Sequence, residues 1–285
     1  KYGRDVSNVF YDVTNYYFEI EEPDRLRKKG VSKEHRPNPI VQMGLLMDRE
    51  GIPITYRLFS GNTNDCSTLL PVLSELKESY NISRMVVVAD RGLNTGENIA
   101  YNIIKGDGYI YSQSIRGAQR SLKSYVLNGK DYIERENGFK IKSRVYPREI
   151  WVTNAEGKRV KVPIDEKQIV FYSPNYAKKA RAERAFVLEK AKMLVKNPGA
   201  FNRATSYGSA KYIKDLVYDK KTGEILTTNH QPTLDWEKIA EEEKYDGYYA
   251  IVTSELDMPD YDVIDTYRGL WRIEESFRIT KSDLE

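Results

Sequence analysis

One cysteine and two histidines in 285 residues remove several chemistries at the outset. Cys66 alone can build neither an intrachain disulfide framework nor a cysteine cage for zinc. His35 and His230 stand far apart in the chain, so there is no two-histidine metal motif. No apolar run approaches the ~20 residues needed to cross a bilayer. The N-terminus has no secretory-signal pattern, and cytoplasmic residence is the expectation. No glycine-rich loop ends in Gly-Lys followed by Ser or Thr, which leaves ATP hydrolysis unsupported. A dominant charge is missing too. The 45 Lys and Arg against 42 Asp and Glu leave a net +3, which permits an anionic partner without demanding one.

What is present describes a soluble, globular chain. Hydrophobic residues make up 40% and charged residues 31%, and the length suits one large domain or a domain carrying an insertion. The 22 tyrosines are best placed as amphipathic strand and core residues.

The chain opens on strand-like runs. Val9 to Ile20 is β-branched and aromatic, and Ile40 to Met47 and Ile54 to Phe59 flank the turn Asp48-Arg49-Glu50-Gly51 as a hairpin. The turn cluster Gly61 to Asp65 leads into Thr68 to Tyr80, whose leucines keep a helical stripe with Pro71 in the first turn. Met85 to Ala89 is continuously apolar, the mark of a strand buried on both faces. A short helix near Thr95 to Lys105 and a strand from Tyr109 to Ser114 follow. Three strands, then helix, strand, helix, strand is mixed α/β, the order of an RNase H-like sheet flanked by helices, although the same order describes other mixed sheets.

Beyond Ile115 the composition changes. Short strand-like runs (141–146, 149–153, 159–162, 168–172) precede a basic helix near Tyr176 to Val195. A hairpin is expected at Val217 to Thr228 and an acidic helix at Leu234 to Glu243. The buried-strand pattern returns at Tyr248 to Thr253, ahead of a long terminal helix from about Tyr261. The expected division is a core of residues 1–115 plus 246–285, interrupted by a β-rich and helical insertion over 116–245. The basic helix carries Lys178, Lys179, Arg181, Arg184, Lys190 and Lys192. It also carries Glu183 and Glu189, so a solvated face explains it better than a nucleic-acid surface.

Three acids stand where an acid needs a reason. Asp12 lies in mid-strand on the face of Phe10, Thr14 and Tyr16, where a carboxylate must be solvated, paired or bound to metal. Asp90 ends the most apolar strand, a position where ligands of α/β sheets gather, although a plain turn Asp would also fit. In the terminal helix Ile264, Tyr267, Leu270, Trp271, Phe277 and Leu284 define an expected buried stripe. Glu274 falls in that stripe, seven residues from both Tyr267 and Lys281, so one face holds all three. A buried pair with Lys or Arg is the competing explanation for Glu274. Convergent carboxylates suit hard cations such as Mg²⁺ or Mn²⁺. Two ions about 3.5–4 Å apart would serve an in-line phosphoryl displacement.

These residues also carry a family resemblance. Tyr11-Asp12-Val13-Thr14, Val87-Val88-Ala89-Asp90-Arg91-Gly92 and the stretch from Tyr267 through Trp271-Arg272-Ile273-Glu274 to Lys281 resemble the three acid motifs of insertion-sequence DDE transposases. The last resembles the Y-R-E-K signature of the bacterial subgroup with an insertion between the second Asp and the Glu. Leu270 stands where that signature has Arg, with Arg268 and Arg272 as neighbouring charges. The Gly61-Asn62 turn is similar as well.

The resemblance implies a metal-dependent enzyme that cleaves DNA and joins the freed 3′-OH to target DNA. Asp12, Asp90 and Glu274 would then be catalytic and would hold two Mg²⁺ ions, with Mn²⁺ able to substitute. Tyr267, Lys281, Arg272 and Arg268 would contact DNA. The partners would be transposon ends and target, engaged by a homo-oligomer in the bacterial cytoplasm, on the nucleoid when bound. An RNase H-type nuclease without strand transfer, or an inactive transposase-derived nucleic-acid-binding protein, fits the same residues. The chain reads as an excised core, expected to bind DNA weakly and without sequence preference.

Overall fold

The computed structural model describes residues 5–20, 22–30, 38–80, 82–197, 208–215, 217–218, 225–226 and 231–283. Three strands open the chain: β1 (Asn8–Tyr17), β2 (Ile40–Met47) and β3 (Pro53–Ser60). They form an antiparallel meander in which Phe10 pairs with Met47 and Asp12 with Leu45. β1 stops at Tyr17, three residues short of the expected end.

Helix α1 (Leu69–Tyr80) follows a 3₁₀ turn in which the Asn64 side chain accepts from the Cys66 N–H, and Pro71 sits in the helix's first turn as expected. Then come β4 (Val86–Ala89), buried throughout, α2 (Gly96–Ile104), capped by Thr95, and β5 (Gly108–Ser112). β4 runs parallel to both β1 and β5.

The middle of the chain supplies α3 (Arg120–Leu127), β6 (Ile133–Glu134), and the long strands β7 (Lys140–Thr153) and β8 (Arg159–Tyr172). The four short runs expected here are two fourteen-residue strands, each continuous through a proline. Helix α4 (Pro174–Lys196) comes next. The short strands β9 (Ile213–Lys214), β10 (Val217–Tyr218), β11 (Ile225–Leu226) and β12 (Thr233–Leu234) precede α5 (Trp236–Glu243). β10 and β11 pair as the expected hairpin, whose turn at 219–224 lies outside the described residues.

β13 (Tyr248–Thr253) returns to pair antiparallel with β5. The terminal segment is two helices, α6 (Asp260–Arg268) and α7 (Trp271–Asp283), rather than the single long helix expected. The break at Gly269 has a packing reason. A Cβ there would come within 2.6 Å of the Phe10 ring, so the chain turns where only glycine can lie against that strand.

The sheet order β3-β2-β1-β4-β5-β13, continued by β8 and β7, is the RNase H-like arrangement of a meander followed by parallel crossover strands. Alternation splits its faces. Tyr11, Val13, Val87, Ala89, Tyr109, Tyr111 and Val252 join one core cluster with α1 and α2. On the opposite face α6 lies over β4 and β5, and α7 over β1.

Two compact units emerge. The first comprises 1–114, 143–170 and 250–285, the second 115–142 and 171–249. The β7–β8 hairpin, expected within an insertion over 116–245, packs in the first unit because Ile150 and Ile164 enter that unit's core. The second unit holds its own cluster of Ala191, Leu194, Tyr212, Ile213 and Ile239. There Arg184 is buried and bonded through both terminal nitrogens to Asp246, which removes it from the solvated helix face expected of it. No helix among the described residues is long and apolar enough to cross a membrane.

Candidate active site

Strand register sets the first two acids side by side. Tyr11 pairs with Ala89 across the parallel β1–β4 ladder, so the residues that come next are Asp12 on β1 and Asp90 directly after β4. Tyr11, Val13 and Ala89 point into the core cluster, and alternation turns both aspartates to the other face, under the terminal helices. Both are half-buried.

Asp90 is held by its neighbours. The Ser112 hydroxyl on β5 donates to Oδ1 at 2.5 Å, and the Tyr267 hydroxyl on α6 donates to the same oxygen at 3.2 Å. The loop after Asp90 is tied down as well, since Asn94 donates to the Ser112 carbonyl at 3.0 Å and to Gln113 at 2.9 Å. Sequence reading missed Ser112. Its signal was faint: a serine on the strand beside the one ending in Asp90.

The third acid is placed differently from expectation. Glu274 is exposed, so it does not lie in a buried stripe. The helix break at Gly269 shifts the register on which that stripe rested, and the inward positions of α7 are Ile273 and Phe277. Trp271 is 58% exposed for the same reason, and Leu284 lies outside the described residues.

Contacts fix the orientation of α7. Gly269, just before it, abuts Phe10 at the start of β1, and Thr280 hydrogen-bonds Tyr16 at 2.7 Å near the strand's end. Glu274 lies between those two points along α7, as Asp12 lies between Phe10 and Tyr16 along β1. Arg272 and Ser276 mark the edge facing β2, where Arg272 donates to the Arg49 carbonyl at 2.8 Å and Ser276 reaches Met47. At about 100° per residue, Glu274 projects from the opposite edge, toward the strand that ends in Asp90.

Asp12, Asp90 and Glu274 do not stand as a ready-made ligand set. Among the described residues, no group of three His, Cys, Asp or Glu side chains is disposed to hold a metal ion. The donor chemistry nonetheless suits a hard cation, because two carboxylates share one sheet face where β4 ends beside the middle of β1.

The four residues expected to meet DNA are scattered around this point. Tyr267 bonds Asp90, and Lys281 is half-buried near the end of α7. Arg268 is exposed and paired with Asp265 at 3.1 Å. Arg272 sits at the β2 edge of α7, its guanidinium 5.9 Å from the Trp271 ring centre. Leu270, at the signature arginine position, is buried.

No curated protein is detectably similar in sequence. A piggyBac transposase, solved by cryo-EM as a synaptic complex with hairpin DNA, matches 56% of this chain and 33% of its own at 9% identity and a TM-score of 0.31. This chain therefore spans about a third of the length of that protein. The family model described as "Transposase DDE domain" matches residues 26–285. The chain belongs to the transposase DDE domain family.

Proposed function

We propose that this chain is the catalytic domain of an insertion-sequence transposase that cleaves DNA at a transposon end and joins the freed 3′-OH to target DNA. The observation that carries the reading is the β1–β4 register, which pairs Tyr11 with Ala89 and so sets Asp12, in mid-β1, beside the end of β4 that Asp90 follows, in a chain of the DDE family. Asp12, Asp90 and Glu274 are the acids that hold Mg²⁺, or Mn²⁺ in its place. Bound there as a pair, such ions would activate the attacking oxygen and steady the leaving one.

The chain's own groups have distinct tasks. Ser112 and Tyr267 occupy one oxygen of Asp90, and the other is the one assigned to the metal. Glu274, exposed on α7, reaches in from the β4-facing edge of that helix. Lys281 on α7 takes a DNA phosphate near the scissile bond, and Arg268 and Arg272 contribute more distant backbone contacts. The active form is a homo-oligomer that brings transposon ends and target together in the bacterial cytoplasm.

The test is incubation with a duplex carrying a free 3′-OH end, in Mg²⁺, in Mn²⁺ and in EDTA. Metal-dependent nicking followed by joined products supports the reading. Nicking without joining leaves a nuclease. No metal-dependent product from a folded chain that binds DNA overturns the reading in favour of an inactive relative.

A further inference from the structure

The end of β5 has no strand on one of its sides. β4 stops at Ala89, which pairs with Tyr111, so the β4–β5 ladder runs out just before Ser112. Backbone direction alternates along a strand. The Gln113 N–H turns to the other neighbour and donates to the Ala250 carbonyl at 2.8 Å, which leaves the Ser112 carbonyl on the β4 side. Ser112 is buried, and a buried carbonyl without a donor is costly.

Asn94 supplies that donor. It follows the 3₁₀ turn Arg91–Leu93, and its side-chain amide donates to the Ser112 carbonyl at 3.0 Å and to Gln113 Oε1 at 2.9 Å. Both amide hydrogens are thereby used on the end of β5. The turn is closed by its own backbone, with Leu93 N–H on the Asp90 carbonyl at 3.0 Å and Asn94 N–H on the Arg91 carbonyl at 3.2 Å. A circuit results. Asp90 leads through the turn to Asn94, Asn94 holds the backbone of Ser112, and the Ser112 hydroxyl returns to Oδ1 of Asp90. Helix α2 offers a comparison. Asn98 is fully buried, and its amide donates to the carbonyls of Leu93 at 2.8 Å and Cys66 at 3.1 Å. Those bonds join two loops, yet neither reaches β5 or the Asp90 carboxylate.

We infer that Asn94 is a positioning residue for Asp90. By continuing the β5 ladder where β4 has ended, its amide keeps Ser112 where the hydroxyl can fix the Asp90 carboxylate for metal. The inference rests on the function proposed above. Asn94 acts through Ser112, so its effect on metal binding must vanish once the Ser112 hydroxyl is gone. An asparagine that only packs the loop, as Asn98 does, shows no such dependence.

The test uses the full chain without DNA, with Mn²⁺ binding read from loss of the free ion's paramagnetic resonance signal. Asn94→Ala and Ser112→Ala should each raise the half-saturating Mn²⁺ concentration about tenfold, the usual effect of freeing a metal ligand from the group that orients it. The double variant should bind about as the worse single variant does, because the two residues act in series. Independent effects, which multiply to about a hundredfold in the double variant, overturn the inference. So does an unmoved midpoint in Asn94→Ala, or an equal rise in Asn98→Ala, which makes general loosening the cause. A crystal structure of Asn94→Ala gives a reading that needs no metal. The inference expects the Ser112 hydroxyl displaced from Asp90, and a retained bond with water in place of the amide overturns it. A wild-type chain that binds no Mn²⁺, or binds it no better than Asp90→Asn, marks failure of the proposed function, and the crystal structure still decides the inference.

Discussion

The Ser112 hydroxyl reaches across from β5 to donate a 2.5 Å hydrogen bond to Oδ1 of Asp90. Ser112 is 2% exposed, so its hydroxyl cannot exchange this bond freely with water. The bond commits Oδ1 of Asp90 to the protein.

Ser112→Ala should therefore cost about 1 kcal/mol of stability, the ordinary worth of one such bond. The metal concentration for half-maximal cleavage should rise about tenfold as Asp90 loses its fixed orientation. Thermal unfolding and a Mg²⁺ titration of cleavage measure the two effects separately. An unmoved metal requirement would leave Ser112 a purely structural residue.

Gly269→Ala tests the seat of α7. The added methyl meets the Phe10 ring, so the helix must lift or the ring must turn, at a cost of about 1–3 kcal/mol. Because Glu274 follows one and a half turns later, cleavage should fall further than stability explains. The check is activity at a temperature where the variant is still fully folded. Full activity there would show that the seat of α7 does not position Glu274.

Glu166 provides a pH prediction away from the acids. It is fully buried, and burial raises its carboxyl above the usual value, a rise only partly opposed by Arg148 at 3.1 Å and by bonds from Gln168 and Tyr109. A carboxyl raised on folding contributes its stability below the unfolded value, about 4.5, and loses it as pH climbs through the folded value. Wild type should therefore gain on Glu166→Gln as pH falls from 7 toward 5. Paired melting curves at the two pH values read this directly, and a gap that does not move with pH would contradict the raised carboxyl.

Much of the sheet was legible because its signals are local. The Val86 to Ala89 run, the meander and the side of β1 on which Asp12 sits follow from apolar runs and alternation. Glu274 was found by a periodicity that ran unbroken through Gly269, and the break that exposes it depends on contact with Phe10, more than 250 residues away in sequence. The β7–β8 hairpin was hidden for a similar reason. Its charged outer positions mask the inner series of Ile150, Val152, Val162 and Ile164, which makes sense only against a core built by other strands. Ser112 could be tied to Asp90 only through the β4–β5 register, which places the strands but is written in neither one alone.

The central claim is that Glu274 acts with Asp12 and Asp90, and metal-dependent nicking by Glu274→Gln tests it most directly. The side chain is exposed, so the substitution should change stability by less than about 0.5 kcal/mol, and a lost activity cannot be blamed on folding. The account predicts nicking at least ~10³-fold below wild type in both Mg²⁺ and Mn²⁺, matching Asp12→Asn and Asp90→Asn, as removal of a metal-holding carboxylate should. Nicking at the wild-type rate by Glu274→Gln would contradict it and leave the third acid to be sought elsewhere.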